Sequence, residues 1–178
     1  GSISTNINKT KKTNKIVKVV DSAANSDADA GFELHSSTLT ITSDDVMTDY
    51  DSPQDTPWYE HKDKIKHVTF GKDVTRIGAH AFEGFENITD INISDSVEYI
   101  GESAFAYNRH NGVELILPLS LDSIDAYAFN DCDYRCELTL SDNIRYLGSE
   151  SFNGTDNFYG TFQIPSKLTK LAVGAFCG

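Results

Sequence analysis

The sequence predicts a repeat solenoid: parallel β strands stacked coil on coil, joined by short helical turns, with an N-terminal β-rich cap. Three observations predict it. A phenylalanine recurs at Phe82, Phe105, Phe129, Phe152 and Phe176, in steps of 23, 24, 23 and 24 residues. An aliphatic residue stands five positions before each one (Ile77, Ile100, Ile124, Leu147, Leu171), and another three positions earlier (Val74, Val97, Leu121, Ile144, Leu168). An apolar pair opens each unit: Val68/Phe70, Ile91/Ile93, Leu115/Leu117, Leu138/Leu140 and Phe162/Ile164. Columns that hold one register over five copies are not chance, and a period of this length is the mark of stacked repeats.

Each column has a physical role. The members of the opening pair are two residues apart, so both project to one side of a short strand. One such unit cannot bury its own apolar side, but stacking turns each column into a continuous buried ladder. The core is therefore expected at Phe82, Phe105, Phe129, Phe152, Phe176, Ile77, Ile100, Ile124, Leu147 and Leu171. Alanine precedes four of the phenylalanines (Ala81, Ala104, Ala128, Ala175) and Ser151 the fifth, leaving room for close approach. Gly78, Gly101 and Gly148 follow the aliphatic column, with Asp125 and Ala172 in the other units. Glycine there suits a tight bend at positive φ.

Organisation follows from this register. Residues 65–178 form five repeats of 23–24 residues, and residues 16–64 supply N-terminal strands and the cap. Residues 1–15 are Lys, Asn, Thr and Ser with little apolar content and read as a flexible arm. Ile16–Val20 reads as a strand, residues 21–31 as a polar loop, and Phe32–Ile41 as further strands with Leu34, Leu39 and Ile41 as the apolar side. A solenoid needs its first coil capped. Thr56 and Pro57 suit the N-cap and first turn of a short helix, and Trp58 and Tyr59 are expected as a lid over Val68 and Phe70. At the other end the chain stops just after Ala175-Phe176. An apolar face is expected there, met by further repeats of a longer natural protein or by self-association.

The unit Val74-Thr-Arg-Ile77-Gly78-Ala-His-Ala81-Phe82, its copy Val97-Glu-Tyr-Ile100-Gly101-Glu-Ser-Ala104-Phe105, and the prolines of Ile116-Leu-Pro118 and Gln163-Ile-Pro165 resemble the BspA-like (Treponema pallidum-type) leucine-rich repeats. Cys132 matches that family's cysteine, with Phe85 and Thr155 in its place in the first and fourth units. Thr38–Ile41, Met47–Tyr50, Thr56–Tyr59 and Ile65-Lys66 resemble the N-terminal cap of bacterial members. The resemblance covers about residues 32–178. It implies a leucine-rich-repeat-type solenoid from a bacterial cell-surface or secreted protein, often linked to adhesion or host contact. It brings no catalytic residues.

Composition narrows the function classes. The 178 residues make one domain, or one domain plus an arm, and no apolar run approaches the roughly 18 residues of a membrane span. The net charge of −12 repels phosphate backbones, which argues against nucleic acid. The motifs of serine hydrolases, P-loop and dinucleotide enzymes and zinc proteases are missing, and the five histidines are scattered. No cofactor is implied. Asp44, Asp45, Asp49, Asp51 and Asp55 offer oxygen ligands, but without the glycine and terminal glutamate of a calcium loop; aspartate also favours turns and caps. No metal site is assigned. Cys132, Cys136 and Cys177 fit no zinc pattern. Cys132 and Cys136 could pair, or stand as separate thiols with Cys132 packed as a small hydrophobe.

What remains is surface. Between the buried pair, Thr69, Asn92, Ile116, Thr139 and Gln163 point outward, flanked by His67, Asp90, Glu114, Glu137 and Thr161. A second extended segment projects Arg76, Tyr99, Ser123, Tyr146 and Lys170. Candidate binding residues are Thr69, Asn92, Glu114, Ile116, Glu137, Thr139, Gln163, Tyr99 and Tyr146, tyrosine on a rigid face being suited to protein or glycan contact; both ladders could equally be solvated surface. Five strands cover roughly 400 Å², against about 800 Å² per partner in a standard interface. Loops near Tyr107–Asn111 and Asp156–Tyr159 would have to add area. The sequence thus reads as a non-catalytic module, extracellular or on a bacterial surface, that binds protein or glycan. The alternatives are a structural spacer of a larger envelope protein, or an appendage of a secreted glycan-active enzyme whose catalytic part lies elsewhere.

Overall fold

The computed structural model describes residues 31–109, 114–135, 137–155, 157–159 and 163–177. The expected arm over 1–15, the strand at 16–20, most of the polar loop before residue 31, Cys136 and Thr161 lie outside the described residues. Ten strands follow in chain order: β1 (Phe32–His35), β2 (Thr38–Ile41), β3 (His67–Phe70), β4 (Arg76–Ile77), β5 (Asp90–Asn92), β6 (Tyr99–Ile100), β7 (Glu114–Ile116), β8 (Ser123–Ile124), β9 (Tyr146–Leu147) and β10 (Lys170–Leu171). They form two sheets, ordered β1-β2-β3-β5-β7 and β4-β6-β8-β9-β10. The pairings between successive coils are parallel and join equivalent residues: Val68 with Ile91 and Leu115, Ile77 with Ile100 and Ile124. Period-2 alternation in β3 buries Val68 and Phe70 and leaves Thr69 outward.

The phenylalanine column is a stack. Successive rings from Phe82 to Phe176 lie 5.3–5.4 Å apart within 11° of parallel. Phe82, Phe105, Phe129 and Phe152 are buried together with Ile77, Ile100, Ile124 and Leu147. The segment around each ring is also bonded across coils: Phe82, Phe105, Phe129 and Phe152 donate their N–H groups to Ala104, Ala128, Ser151 and Ala175 at 2.8–2.9 Å. Those amides are spent between coils, so the expected helical turns stay single turns. Among the described residues the helices are three short 3₁₀ pieces in the cap, Asp44–Val46, Pro53–Asp55 and Tyr59–His61.

The structure corrects several expectations. Gly78, Gly101 and Gly148 do not adopt positive φ. They are required by proximity: a Cβ would stand 1.9 Å from the Thr48 carbonyl oxygen, 2.6 Å from the Ala79 nitrogen and 2.2 Å from the Ala126 nitrogen, respectively. The left-handed positions lie two residues before each phenylalanine (His80, Ser103, Tyr127, Glu150, Gly174) and two after the first four (Gly84, Tyr107, Asp131, Gly154). Among the described residues the first sheet has no strand beyond β7; residues 160–162, Phe162 among them, lie outside the described residues. Glu137 is bridged to Tyr159, and Ile164 is exposed. Leu171 and Phe176, expected in the core, are 52% and 37% exposed, because no described residue covers the far face of the last coil.

The front cap also differs. A β1–β2 hairpin, not Trp58 and Tyr59, covers Val68 and Phe70: Leu39 pairs with Val68 and Ile41 with Phe70. Trp58 instead stacks on Phe82 at 5.5 Å and 14°, edged by Phe32 and Tyr50. Its indole N–H donates to the Ala81 carbonyl at 2.9 Å. In every later coil that carbonyl position receives a phenylalanine backbone N–H, so one side chain stands in for a whole rung. Trp58 lies 24 residues before Phe82, in step with the column. Tyr59 packs edge-on against Phe85. Thr56 ends the 3₁₀ helix Pro53–Asp55, its hydroxyl donating to the Pro53 carbonyl, and is not an N-cap.

Candidate ligand-binding site

The aspartates before the array close an edge. β4 has no preceding strand in its sheet, so the N–H groups around it need other acceptors. Asp44 Oδ1 accepts from the Thr75 and Arg76 amides at 2.7 and 3.4 Å. Asp49 Oδ1 accepts from the Ala79 amide at 3.0 Å and from Arg76 Nη2 at 2.6 Å. These carboxylates take the place of a preceding coil's carbonyls. Burial pushes the Asp49 carboxyl upward, but its hydrogen bonds from Arg76 and Ala79 and the charges of Arg76 and His80 outweigh it and hold it below the usual value. Among the described residues no three His, Cys, Asp or Glu side chains are grouped to hold a metal ion. Cys132 donates to the Phe105 carbonyl from the core, and burial pushes its thiol up to about 12. A buried neutral thiol of this kind is a packing group.

The second sheet carries the most differentiated surface. Its outward ladder reads Arg76, Tyr99, Ser123, Tyr146, Lys170, in strand register. Arg76 lies over the Tyr99 ring at 5.2 Å and Lys170 over the Tyr146 ring at 4.8 Å. Between the two tyrosines stands Ser123, the one short side chain of the five. Asp125 sits beside it where most units have glycine. Tyr99 Oη donates to Asp125 Oδ2 at 2.8 Å. Burial, then this hydrogen bond and the Asp125 charge, raise the Tyr99 phenol pKa; burial, then the Asp125 charge and hydrogen bond, raise that of Tyr146. Both phenols stay neutral, and that of Tyr99 is tied at its hydroxyl to Asp125.

Beside Ser123 opens a groove of about 390 Å³, lined by Glu98, Tyr99, Ser120, Asp122, Ser123, Asn143 and Arg145. Its polar groups are ordered by one another: Ser123 Oγ donates to Asp122 Oδ1 at 2.6 Å, and Arg145 Nε meets Asp122 Oδ2 at 3.2 Å. The phenolic ladder was legible in the sequence as Tyr99 and Tyr146. Glu98, Ser120, Asp122, Asn143 and Arg145 were not; the signal was the short Ser123 between bulky rungs.

The other expected residues are more dispersed. Thr69, Asn92 and Ile116 stand in register on the first sheet, extended on the hairpin side by Thr40, whose hydroxyl accepts from Thr69. His67 pairs with Asp90 beside them, and Glu114 is in register with Asp90. Among the described residues Glu137 is bridged to Tyr159. Thr139 and Gln163 line a separate open groove with Leu119, Leu138, Leu140, Ser141, Asp142 and Asn143. The structure therefore does not bring the nine expected residues to one site: it splits them between two sheet faces and this groove.

Two sheets with parallel pairing from coil to coil, one aromatic rung per coil and close backbone approach at Gly78, Gly101 and Gly148 define a leucine-rich-repeat solenoid. The chain belongs to the BspA type leucine rich repeat family, whose repeat matches residues 56–178 in six copies. The matched span begins just before Trp58, the sixth aromatic of the stack. The chain is similar to a leucine-rich repeat protein of Eubacterium ventriosum, at 19% identity and a TM-score of 0.56 over 74% of this chain and 40% of that one. It is also similar to one of Bacteroides ovatus, at 29% identity and a TM-score of 0.52 over 59% of this chain and 27% of that one. It thus spans less than half the length of either. No curated protein matches it. No helix among the described residues is long and apolar enough to cross a membrane.

Proposed function

We propose that this chain is a non-catalytic binding module, extracellular or displayed on a bacterial surface, that holds a protein or glycan ligand on its sheet faces. The observation that carries this reading is the Tyr99–Ser123–Tyr146 ladder with its adjoining polar groove. Backbone bonds between coils fix the rungs, so a ligand meets side chains already placed, and little ordering entropy opposes binding. Thr69, Asn92, Glu114 and Ile116 on the first sheet, with Glu137, Thr139 and Gln163 near its open end, are a second surface for a larger ligand. The test is adhesion: labelled chain is applied to immobilised matrix proteins and to epithelial cells, and a Tyr99→Ala/Tyr146→Ala variant is compared. Adhesion that falls at least tenfold, with the fold intact by circular dichroism, supports the module. Equal adhesion of both proteins moves the ligand off the Tyr99–Tyr146 ladder, and adhesion of neither assigns the chain a spacer role instead.

A further inference from the structure

We propose that the groove at Ser123 is a saccharide subsite that takes one neutral pyranose ring, with the Tyr99 ring as its platform. This rests on the binding-module reading and names its ligand class. Spacing is the first argument. Neighbouring rungs of a parallel sheet are about 4.8 Å apart, so the backbones carrying Tyr99 and Tyr146 are about 9.6 Å apart across Ser123. An aliphatic ring in contact sits about 3.5–4.0 Å from its neighbour; the short serine leaves the groove, which Tyr99 lines and Tyr146 does not, open to such a ring. The Tyr99 face toward Arg76 is taken by the guanidinium, which leaves the face on the Ser123 side for a ligand.

Chemistry is the second argument. A sugar ring presents C–H groups on its faces and hydroxyls around its edge. The groove offers an aromatic wall and, around it, Glu98, Ser120, Asp122, Asn143 and Arg145, a mixed set of donors and acceptors suited to hydroxyls. Arg145 is already paired with Asp122, and Glu98 and Asp125 add negative charge nearby. An anionic sugar would meet net repulsion, so the ligand is neutral. An extended apolar peptide finds no apolar pocket in this groove.

The test uses the chain as it stands. Saturation-transfer NMR and titration are run with methyl glycosides of glucose, galactose, mannose and N-acetylglucosamine, and with glucuronic acid as the charged control. Ser123→Tyr fills the gap with a residue the ladder already carries at two rungs; Glu98→Gln changes an edge group. At least one neutral glycoside should bind in the millimolar range, more weakly by tenfold or more in Ser123→Tyr, with glucuronic acid silent. Binding unchanged by Ser123→Tyr, or preference for the acidic sugar, overturns the proposal. No glycoside binding, with adhesion still lost in Tyr99→Ala/Tyr146→Ala, overturns the saccharide assignment and leaves the binding module with a protein ligand. Loss of both overturns both.

Discussion

Trp58 gives the sharpest test of how the array is closed. Replacing it with alanine removes two things at once. The first is a buried aromatic rung stacked at 5.5 Å on Phe82; truncations of this kind cost about 3–5 kcal/mol. The second is the donor to the Ala81 carbonyl, and a buried acceptor left without a partner costs about 1–3 kcal/mol. Some of the second term returns if water enters the vacated space, so we expect about 5 kcal/mol for Trp58→Ala. Trp58→Phe keeps the stacked ring and loses the N–H and one fused ring, and should cost about 2 kcal/mol on the same accounting.

The assay is equilibrium urea denaturation followed by far-ultraviolet circular dichroism, since Trp58 is the only tryptophan. Hydrogen exchange adds the position of the damage. Repeat arrays lose stability mainly at the altered unit and its neighbours, so amide protection should fall first around Phe82 while the Phe129 amide stays protected. A loss under about 1 kcal/mol for Trp58→Ala, against the roughly 3–5 expected of a buried aromatic, would refute the rung-substitute argument. So would equal losses for both variants with uniform loss of protection.

Four further outcomes follow from particular residues. Phe105 is buried between Phe82 and Phe129 in the stack, and Phe105→Ala should cost about 3–5 kcal/mol by denaturation. Ser151 has a buried hydroxyl with no hydrogen-bond partner, so Ser151→Ala, which matches four other units, should raise stability by about 1 kcal/mol. Gly148→Ala, whose Cβ would lie 2.2 Å from the Ala126 nitrogen, should separate two coils and cost about 3 kcal/mol or more, whereas Gly84→Ala has open space and a φ of +70° and should cost about 1 kcal/mol. The Cys132 thiol, pushed up to about 12 by burial, keeps its proton in the folded state after an unfolded thiol, with a pKa of about 8.5, has lost it. The folded state then binds more protons than the unfolded one, so stability must fall as pH rises from about 9 toward 12, by up to about 1.4 kcal/mol per pH unit from this group; Cys132→Ala should remove that part of the alkaline slope.

The buried columns were legible because stacking applies the same demand at every rung. A residue that faces its own equivalents above and below can change little, and the period therefore shows in the letters. The cap was less legible for the opposite reason. Trp58 keeps the 24-residue step, but it is a different aromatic and contributes a side-chain N–H in place of a backbone one, which no residue pattern announces. Asp44 and Asp49 replace carbonyls with carboxylates, and their role is visible only once β4 is known to be an edge. The left-handed positions were hidden as well. His80, Ser103, Tyr127 and Glu150 hold positive φ because coil-to-coil hydrogen bonds impose it, against their own preference. Conversely the conspicuous glycines turned out to serve approach distance, which depends on a neighbouring coil.

The exposed ladders follow another logic, and it explains why the groove was missed. An outward side chain is not answerable to the stack, so its column carries no period to detect. Information lies instead in the departures from the repeat. Two of them fall in the third coil: Ser123, where the other four rungs bear Arg, Tyr, Tyr and Lys, and Asp125, where three of the others bear glycine. Asp125 is held by its own Oδ1 accepting from the Ala126 amide at 2.8 Å, and it takes the Tyr99 hydroxyl. One departure opens a gap a single rung wide, and the other fixes the phenol beside it. The first removes contact area, and the second puts a carboxylate where it holds the Tyr99 hydroxyl. Two departures in one coil, meeting on one ring, set this rung apart from the other described rungs of its sheet.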